Sequence, residues 1–442
     1  MNKYYEKNST MGTERSMPIR IRVMGCIALV LVVSGVTHAQ TTQPTETPAE
    51  AWLQRETLTD NWFTLGKQLE ERALAIRLAT LQIYQQNVQG GLSTHRRSGR
   101  YSGSYDLELD LDLGKLGLLP NGQIYMLTEG TWSDGIDPSS VGSLFNVNGD
   151  AMGNEAAAII QLYYEQSFFE DRLITRIGKL DLTGAFQCRG CPVSFDGNSY
   201  ANDENTQFLN GSLINNPTIP FPQEGLGAVV HANPVDWWYV SAGVADANAN
   251  RYETGFNTAF HGPDDFFSIY ETGVLPQVSS ANGPMQGAYR VGFWYDPLSK
   301  EYLDGSGRTK RDNLGLYASA DQLVFKENKD EKDTQGLGLF GRYGLANKNV
   351  SEIAQFWSAG CQYEGLIPSR DQDVLGFGVG QGIISDEAGL PASNETALES
   401  YYNISITKYL RVSPDLQYIF NPDGAADSNH AFVIGLRVQV IF

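Results

Sequence analysis

The sequence predicts an all-β fold: a transmembrane antiparallel β-barrel of about 16 strands, with a short N-terminal helical segment. Three observations support this fold. Apolar and polar residues alternate with period two in many segments, and long and short connections follow one another between these segments. Beyond the N-terminus, no run of about 18 apolar residues could form a membrane-spanning helix.

Residues 1–39 have the pattern of a signal peptide. Three arginines between positions 15 and 22 precede the apolar run 23–36, and Thr37-His38-Ala39 supplies small residues before a cleavage site. The apolar run is short for a membrane anchor. We therefore expect the chain to be exported.

The remaining chain is strongly acidic. Cleavage after residue 39 removes five basic and two acidic residues, which leaves 27 Lys plus Arg against 49 Asp plus Glu and a net charge of −22. Such a charge repels phosphate backbones, so nucleic acid is excluded as a partner.

Two segments separate the leader from the barrel. Residues 40–51 are rich in Thr, Gln and Pro and predict a flexible linker. In residues 52–73 a capping signal at Thr59 precedes apolar residues at helical spacing, so we expect a helical segment in the periplasm or at the lower mouth of the barrel. The barrel is expected over residues 74–442.

Sixteen segments carry strand signals. They are 75–88, 101–113, 123–132, 156–168, 172–180, 225–232, 237–245, 265–273, 287–295, 313–325, 335–343, 356–366, 374–384, 397–407, 411–420 and 431–442. The last segment is apolar at every second position and ends on Phe442. In lipid, such a final strand must pair with the first, because unpaired backbone groups would find no water there.

The connections between these strands alternate in length. Odd-numbered connections such as 133–155 and 181–224 are long, whereas even-numbered ones such as 169–171 and 233–236 are mostly short. This alternation is typical of the extracellular loops and periplasmic turns of outer-membrane barrels. Aromatic residues near strand ends, such as Trp294-Tyr295 and Tyr401-Tyr402, are expected to form the two interface girdles.

Three cysteines remain after the leader is removed. Cys188 and Cys191 form a C-x-x-C pair, and in an exported protein we expect a disulfide within this loop. A zinc half-site would need a second pair, which is missing, so no metal or cofactor is expected. Cys361 is expected to be a small apolar residue that is buried or faces lipid.

Several segments resemble one known family. Residues 52–62, 109–117, 176–179, 407–422 and 431–442 are similar, in this order, to segments of the OprB family of carbohydrate-selective porins. The resemblance implies a sixteen-stranded channel in the bacterial outer membrane through which carbohydrates diffuse passively. Together with outer-membrane lipid, sugars are the expected partners, and the strand ending at Phe442 resembles the signal recognised by the barrel-assembly machinery. Both a monomer and a homotrimer fit this pattern.

A pore needs no catalytic residues, only a hydrated path with hydrogen-bonding groups. Strand parity places the carboxylates of strand 101–113 opposite its leucines, and therefore toward a water-filled lumen. By the same parity, the candidate lumen residues are Asp106, Glu108, Asp110, Glu165, Arg176, Arg290, Trp294, Arg342, Gln417, Arg437 and Gln439.

Two alternatives stay open. Within the porin class, the channel could be a general or an anion-selective pore. A secreted soluble β-rich protein, either a carbohydrate-binding protein or a glycosidase, is the alternative of another class. The sequence contains no G-x-S-x-G, H-E-x-x-H or P-loop motif, so we expect that the protein is not an enzyme.

The longest connection, 181–224, is predicted to fold inward and narrow the pore, with the Cys188–Cys191 disulfide stiffening its tip. Deleting this loop is expected to raise single-channel conductance in planar bilayers, because the open cross-section grows. An unchanged conductance would exclude the loop as the constriction.

Overall fold

The structure is a computed structural model that describes residues 52–183, 195–252, 259, 265–330, 334–425 and 429–442. The predicted signal peptide, the predicted linker, Cys188 and Cys191 all lie outside these residues. Within the described part of the chain, no helix has the length and apolarity needed to cross a membrane.

Sixteen antiparallel strands form the fold. They are β1 Leu74–Gln89, β2 Gly99–Asp112, β3 Gly122–Trp132, β4 Glu155–Phe168, β5 Leu173–Leu180, β6 Gly225–Val235, β7 Trp238–Asp246, β8 Phe266–Val274 with Gln277–Ser280, β9 Gly283–Asp296, β10 Asn313–Lys326, β11 Gly336–Leu345, β12 Ile353–Glu364, β13 Val374–Ile384, β14 Asn394–Thr407, β15 Leu410–Phe420 and β16 Ala431–Ile441. Every strand pairs with its neighbours in sequence. All sixteen predicted strands are confirmed, with their ends shifted by a few residues.

The sheet closes through its first and last strands. β1 and β16 pair antiparallel over nearly their whole length, from Ala79 opposite Ile441 to Gln89 opposite Phe432. Because every edge is paired, the barrel leaves no row of free backbone N–H and C=O groups. The terminal strand therefore has the closing role that its apolar alternation predicts.

Strand β8 departs most from expectation. It consists of two segments, which pair with successive parts of β9. Pro276 lies at the break between them. Proline has no N–H to donate to a strand ladder, so the regular pairing is interrupted over Leu275 and Pro276 and resumes in the same register at Gln277.

The connections separate by length between the two ends of the barrel. At one end lie eight loops, among them L2 (133–154), L3 (181–224), L5 (297–312), L7 (385–393) and L8 (421–430). At the other end lie seven mostly short turns, together with residues 52–73 and Phe442. Short elements occur within the loops: a π-helix Asp137–Val141 in L2, α3 Gly211–Ile214 in L3, the two-strand ladder Lys300–Glu301 with Thr309–Lys310 in L5, and 3-10 helices Asp386–Ala388 in L7 and Pro422–Gly424 in L8.

The segment before the barrel packs at the turn end. It contains α1 Asp60–Phe63 and α2 Leu65–Glu71. The Thr59 hydroxyl accepts a hydrogen bond from the Trp62 N–H at 3.0 Å, as the capping signal predicts. The backbone N–H of Leu58 donates to the carbonyl of Ile441 at 2.8 Å, which ties the segment to the closing strand.

The two faces of the barrel differ in chemistry. Large apolar side chains are exposed on the outside, as Tyr289, Val291 and Phe293 are on β9. The expectation that paired aromatic residues form girdles holds for only one ring of each pair. Trp294 and Tyr401 are fully buried on the inner side, because successive residues of a strand point to opposite faces.

Leu436, exposed near the middle of β16, tests the lipid-facing assignment. Substitution Leu436→Arg is expected to lower the free energy of unfolding by about 2–4 kcal/mol in vesicles, because a charge near the bilayer midplane is poorly solvated. Denaturant titration of the barrel in phospholipid vesicles measures this change.

The matched control is Gln439→Arg, which places the same side chain on the inner face of the same strand. Its destabilisation is expected to be much smaller. Equal losses at the two positions would contradict the assignment of faces.

Candidate functional site

The inner face of the barrel carries many polar side chains that are shielded from solvent. Arg342, Glu399, Gln417 and Arg437, on β11 and β14–β16, are each at most 3% exposed. Buried polar groups need hydrogen-bond partners, because water no longer supplies them. In this barrel the partners come from the loops L2 and L3, which fold inward.

Two arginines of the wall hold the flanks of L3. Arg437 donates to the backbone carbonyls of Glu204 and Gln207 at 2.6 and 2.7 Å. Arg342 donates to the carbonyl of Leu213 at 2.5 Å and also contacts the side chain of Asn202. The guanidinium fork offers several donors in a plane, which suits the carbonyl groups of an irregular segment.

Two glutamates of the wall hold L3 through its backbone N–H groups. Glu399 accepts from the N–H groups of Leu209 and Asn210 at 2.6 and 2.8 Å. Glu271, on β8, accepts from the N–H of Asp196 at 2.8 Å. Hydroxyl groups of two neighbouring tyrosines also donate to Glu271, so its carboxylate is fully engaged.

L2 is held in the same manner. Glu395 of β14 accepts from the Ser143 hydroxyl at 2.5 Å and from the Leu144 N–H at 3.0 and 3.1 Å. The amides of Gln85 and Gln417 donate to the Val147 carbonyl at 2.9 and 2.8 Å. These bonds fix L2 between the first and the last strands.

The two loops also contact each other. The N–H of Gly149 in L2 donates to the carbonyl of Leu209 in L3 at 2.8 Å. Leu209 packs with Leu81 and Ile83 of β1 in a small buried cluster. Leu209 of L3 therefore reaches the side of the lumen where β1 and β16 close the barrel.

Glycines of the wall allow L3 to lie close against it. A Cβ at Gly380 would lie 2.5 Å from the Ser212 hydroxyl oxygen, and one at Gly344 would lie 2.1 Å from that of Thr218. A larger residue at these positions would require the Ser212 or Thr218 side chain, or the loop itself, to shift.

The inner surface toward the turn end of β2 and β3 is less covered. Asp106, Glu108 and Asp110 of β2 are partly exposed, as is Gln439 on β16. Glu108 forms an ion pair with Arg77 of β1 at 3.3 Å, and both side chains remain accessible. We infer that the open part of the lumen borders these strands.

An aromatic and charged group adjoins this region. The rings of Tyr125 and Tyr163 stack with centroids 5.1 Å apart, and the Arg176 guanidinium lies 4.9 Å from the Tyr163 centroid. Arg176 also donates to Glu165 at 2.5 Å, and both residues are buried. Neighbouring strands β4 and β5 place this pair opposite each other.

The remaining predicted lumen residues lie deeper in the wall. Arg290 pairs with Asp321 at 2.8 Å, and Trp294 belongs to an apolar cluster with Phe267 and Tyr317. That Arg290 and Trp294 line a solute path stays a prediction, and the same holds for the other nine candidate lumen residues. Cys361 is a partly exposed free thiol, while the predicted Cys188–Cys191 disulfide lies outside the described residues.

Sequence reasoning missed the glutamates that hold the loops. Glu271 and Glu399 lie within predicted strands, and Glu395 lies two residues before one. The period-two spacing of Glu395, Glu399 and Tyr401 was a usable signal for one inner face. Which loop atoms these glutamates bind was not visible, because the partners are backbone groups far away in the chain.

Several loop carboxyls have raised pKa values, among them one in L2 and one in L3 that contact the wall. Burial raises the pKa of Asp150, in L2, to about 7, although it accepts a hydrogen bond from Ser104 at 2.6 Å. Burial also raises the pKa of Asp196, in L3, to about 7, and the Arg342 guanidinium 3.8 Å away opposes this shift. Both shifts arise because the charged form loses hydration.

Within the described ranges, no group of three or more His, Cys, Asp and Glu residues is arranged to hold a metal ion. The described side chains of the inner face offer hydrogen bonds, ion pairs and aromatic faces. They provide groups that can replace part of a solute's hydration shell.

Comparison with known proteins identifies a common family. The family model for the carbohydrate-selective porin, OprB family, matches residues 96–442. Porin B of Pseudomonas aeruginosa is 22% identical over 95% of this chain and 98% of that protein. A putative porin of Acinetobacter baylyi, QuiX, is 21% identical over 88% of this chain and 94% of that protein. The fold is similar to a high-pH structure of Pseudomonas putida OprB, with a TM-score of 0.74, 20% identity, and coverage of 88% of this chain and 99% of that chain.

The packing of L2 is expected to weaken as the pH rises. A released Asp150 would have the ordinary pKa of about 4, so between about pH 4 and 7 the packed loop binds more protons than the released loop. Its stability is therefore highest at acidic pH and is lost as the pH rises through about 7. Hydrogen exchange of the amides of L2, corrected for the intrinsic pH dependence, measures this change.

Asp150→Asn is the control variant, because an amide resembles the protonated acid and does not titrate. Its L2 protection is expected to stay nearly constant from pH 6 to 8. The same decline in both proteins would show that other groups are responsible.

Proposed function

The chain belongs to the OprB family of carbohydrate-selective porins, and from this premise we propose that sugars cross its outer-membrane barrel through a narrow path beside β2 and β3. Family membership and the closed sixteen-stranded barrel make the protein an outer-membrane porin. The geometry of the inner face supports the position of the path within the barrel.

One observation carries the proposal: the unequal covering of the lumen. L2 and L3 cover the inner side chains of β10–β16, and L2 also covers Ser102 and Ser104 at the loop end of β2. The carboxyls Asp106, Glu108 and Asp110, which follow toward the turn end of β2, remain partly exposed. A barrel of sixteen strands is otherwise wide enough for an aqueous channel. Inward loops narrow such a barrel to a path on which a solute contacts the wall.

The groups along this path suit polyhydroxyl solutes. Carboxylates accept hydrogen bonds from sugar hydroxyls, and the Arg77 guanidinium, which is accessible, donates to them. The Tyr125 ring, which is partly exposed and stacks on the buried Tyr163, can cover the C–H face of a sugar ring. A solute that exchanges water for such groups enters without a large loss of hydrogen bonds.

Charge separates this function from that of an anion-selective pore. Three carboxyls line the inner face of β2, and Arg77, paired with Glu108, and Lys115, near Asp110, offset part of their charge. Their field attracts cations and opposes anions in a narrow path. Neutral sugars are affected little by this field.

Export and assembly complete the proposal. Residues 1–39 act as the signal peptide, and the final strand, which ends at Phe442, is recognised by the barrel-assembly machinery. In support of this, β16 presents Ile434 and Leu436 outward and closes the barrel against β1. The segment 52–73 then lies on the periplasmic side, where the turns lie.

Liposome swelling tests the function with solutes of graded size and charge. We expect neutral mono- and disaccharides to enter, anionic gluconate to enter more slowly than glucose, and larger oligosaccharides to be excluded, because path width and wall charge both select. Equal rates for glucose and gluconate would contradict an acidic path, and no entry of any sugar would contradict the function.

The combined variant Asp106→Asn, Glu108→Gln and Asp110→Asn is expected to remove most of the difference between glucose and gluconate. The charge-matched control replaces three carboxyls of the periplasmic turns: Glu327→Gln, Asp330→Asn and Asp371→Asn. This control should keep the wild-type difference, because turn charges lie in water and are screened.

A further inference from the structure

Glu399 occupies a special position on the inner wall. Its side chain is fully buried, and both of its carboxylate oxygens face the tip of L3. The two N–H groups that it binds belong to consecutive residues, Leu209 and Asn210, at 2.6 and 2.8 Å.

The chemistry of this contact requires a group with two adjacent acceptors. Two neighbouring backbone N–H groups point at the same side chain, and only a carboxyl group offers one oxygen to each. An amide would turn its own N–H₂ toward one of the donors. That donor would then be buried without a partner, which is costly inside a protein.

The residues around Glu399 reinforce the contact. The carboxyl of Asp415, on β15, lies close to that of Glu399, so the two carboxyls can share one proton. Gln417 donates to Asp415 at 3.0 Å and accepts from the Asn210 side chain at 3.1 Å. Arg437 lies beside the same ring, Tyr401, that packs on Phe208 of L3.

The bound residues Leu209 and Asn210 also position other parts of L2 and L3. The Asn210 side chain accepts from the N–H of Ser212 at 3.1 Å and so caps α3. The carbonyl of Leu209 accepts from Gly149 of L2. Loss of the hydrogen bonds between Glu399 and L3 would therefore loosen both loops. The contacts of Arg342 and Arg437, in contrast, hold only the segments of L3 on either side of Leu209 and Asn210.

We propose that Glu399 is a positioning residue of the channel. By accepting hydrogen bonds from the backbone N–H groups of Leu209 and Asn210, it holds L3 across the lumen and so sets the width of the pore. The consequence of this role for sugar uptake rests on the proposed function. Ion conductance tests the role itself independently of any sugar.

The first test is the single-channel conductance of Glu399→Gln in planar bilayers. We expect at least about a twofold rise, together with entry of oligosaccharides that the wild type excludes, because the released loop widens the path. The matched control is Glu364→Gln. Glu364 lies at the turn end of β12 and accepts a hydrogen bond from the Thr334 hydroxyl rather than from L2 or L3, so the conductance of this variant should equal that of the wild type.

The second test restores the position of L3 by a different bond. A Cβ at Gly380 would lie 3.0 Å from the Cβ of Ser212, and a small shift brings this pair into the range of a disulfide. Ser212→Cys and Gly380→Cys are added to Glu399→Gln, with Cys361→Ser to remove the other described thiol. Oxidation should return the conductance to the wild-type value, and reduction should raise it again.

Heat-modifiable mobility on gels establishes that each variant forms a closed barrel. If Glu399→Gln does not assemble, Glu399→Asp takes its place, since it keeps both acceptors and the charge but retracts them by one methylene; we expect an intermediate rise in conductance. An assembled variant with wild-type conductance and wild-type sugar exclusion overturns the proposal. So does a raised conductance that the oxidised disulfide fails to lower.

The sugar path and the positioning role fail in different ways. If the wild type admits no sugar but Glu399→Gln still raises ion conductance, the sugar path is wrong and the positioning role stands. If sugars enter the wild type and the variant alike with the same size limit, the positioning role is wrong and the sugar path stands.

Discussion

Hydrocarbon cannot hydrogen-bond to a peptide group, and this single constraint organises the whole barrel. Every strand must pair on both sides, so the first and last strands have to meet, as β1 and β16 do. Closure then assigns the faces: the apolar half of each strand meets lipid and the polar half is enclosed. The same requirement of paired polar groups continues inside, where the enclosed side chains meet two inward loops.

The wall and the loops satisfy each other's hydrogen bonds. Arg342 and Arg437 have donors and no acceptors, and L3 offers them its carbonyl groups. Glu271, Glu395 and Glu399 have acceptors, and L2 and L3 offer them N–H groups. Hydrogen bonds to charged groups contribute about 1.5–3 kcal/mol each, and removal of one partner leaves the other buried and unpaired. Such a network favours one position of the loops over a broad distribution.

This arrangement links selectivity to the fold. An aqueous barrel of sixteen strands has no fine discrimination of its own, and the loops that narrow it also decide which part of the wall a solute meets. Here the less covered part carries carboxylates on β2, an accessible arginine on β1 and a stacked pair of tyrosines. The family relationship extends over most of the chain at about one residue in five, so the barrel itself tolerates wide sequence change while its faces keep their character.

The sequence by itself determined the barrel, its strand number and which face of each strand is wet, because these depend on local period-two patterns and on connection lengths. It also placed Arg342, Gln417 and Arg437 on the inner face through strand parity. Only the tertiary structure decided what those residues bind, and that Trp294 is packed in an apolar cluster. The reason is physical: their partners are backbone atoms of loops more than one hundred residues away, and a backbone N–H or C=O looks the same at every position of a sequence.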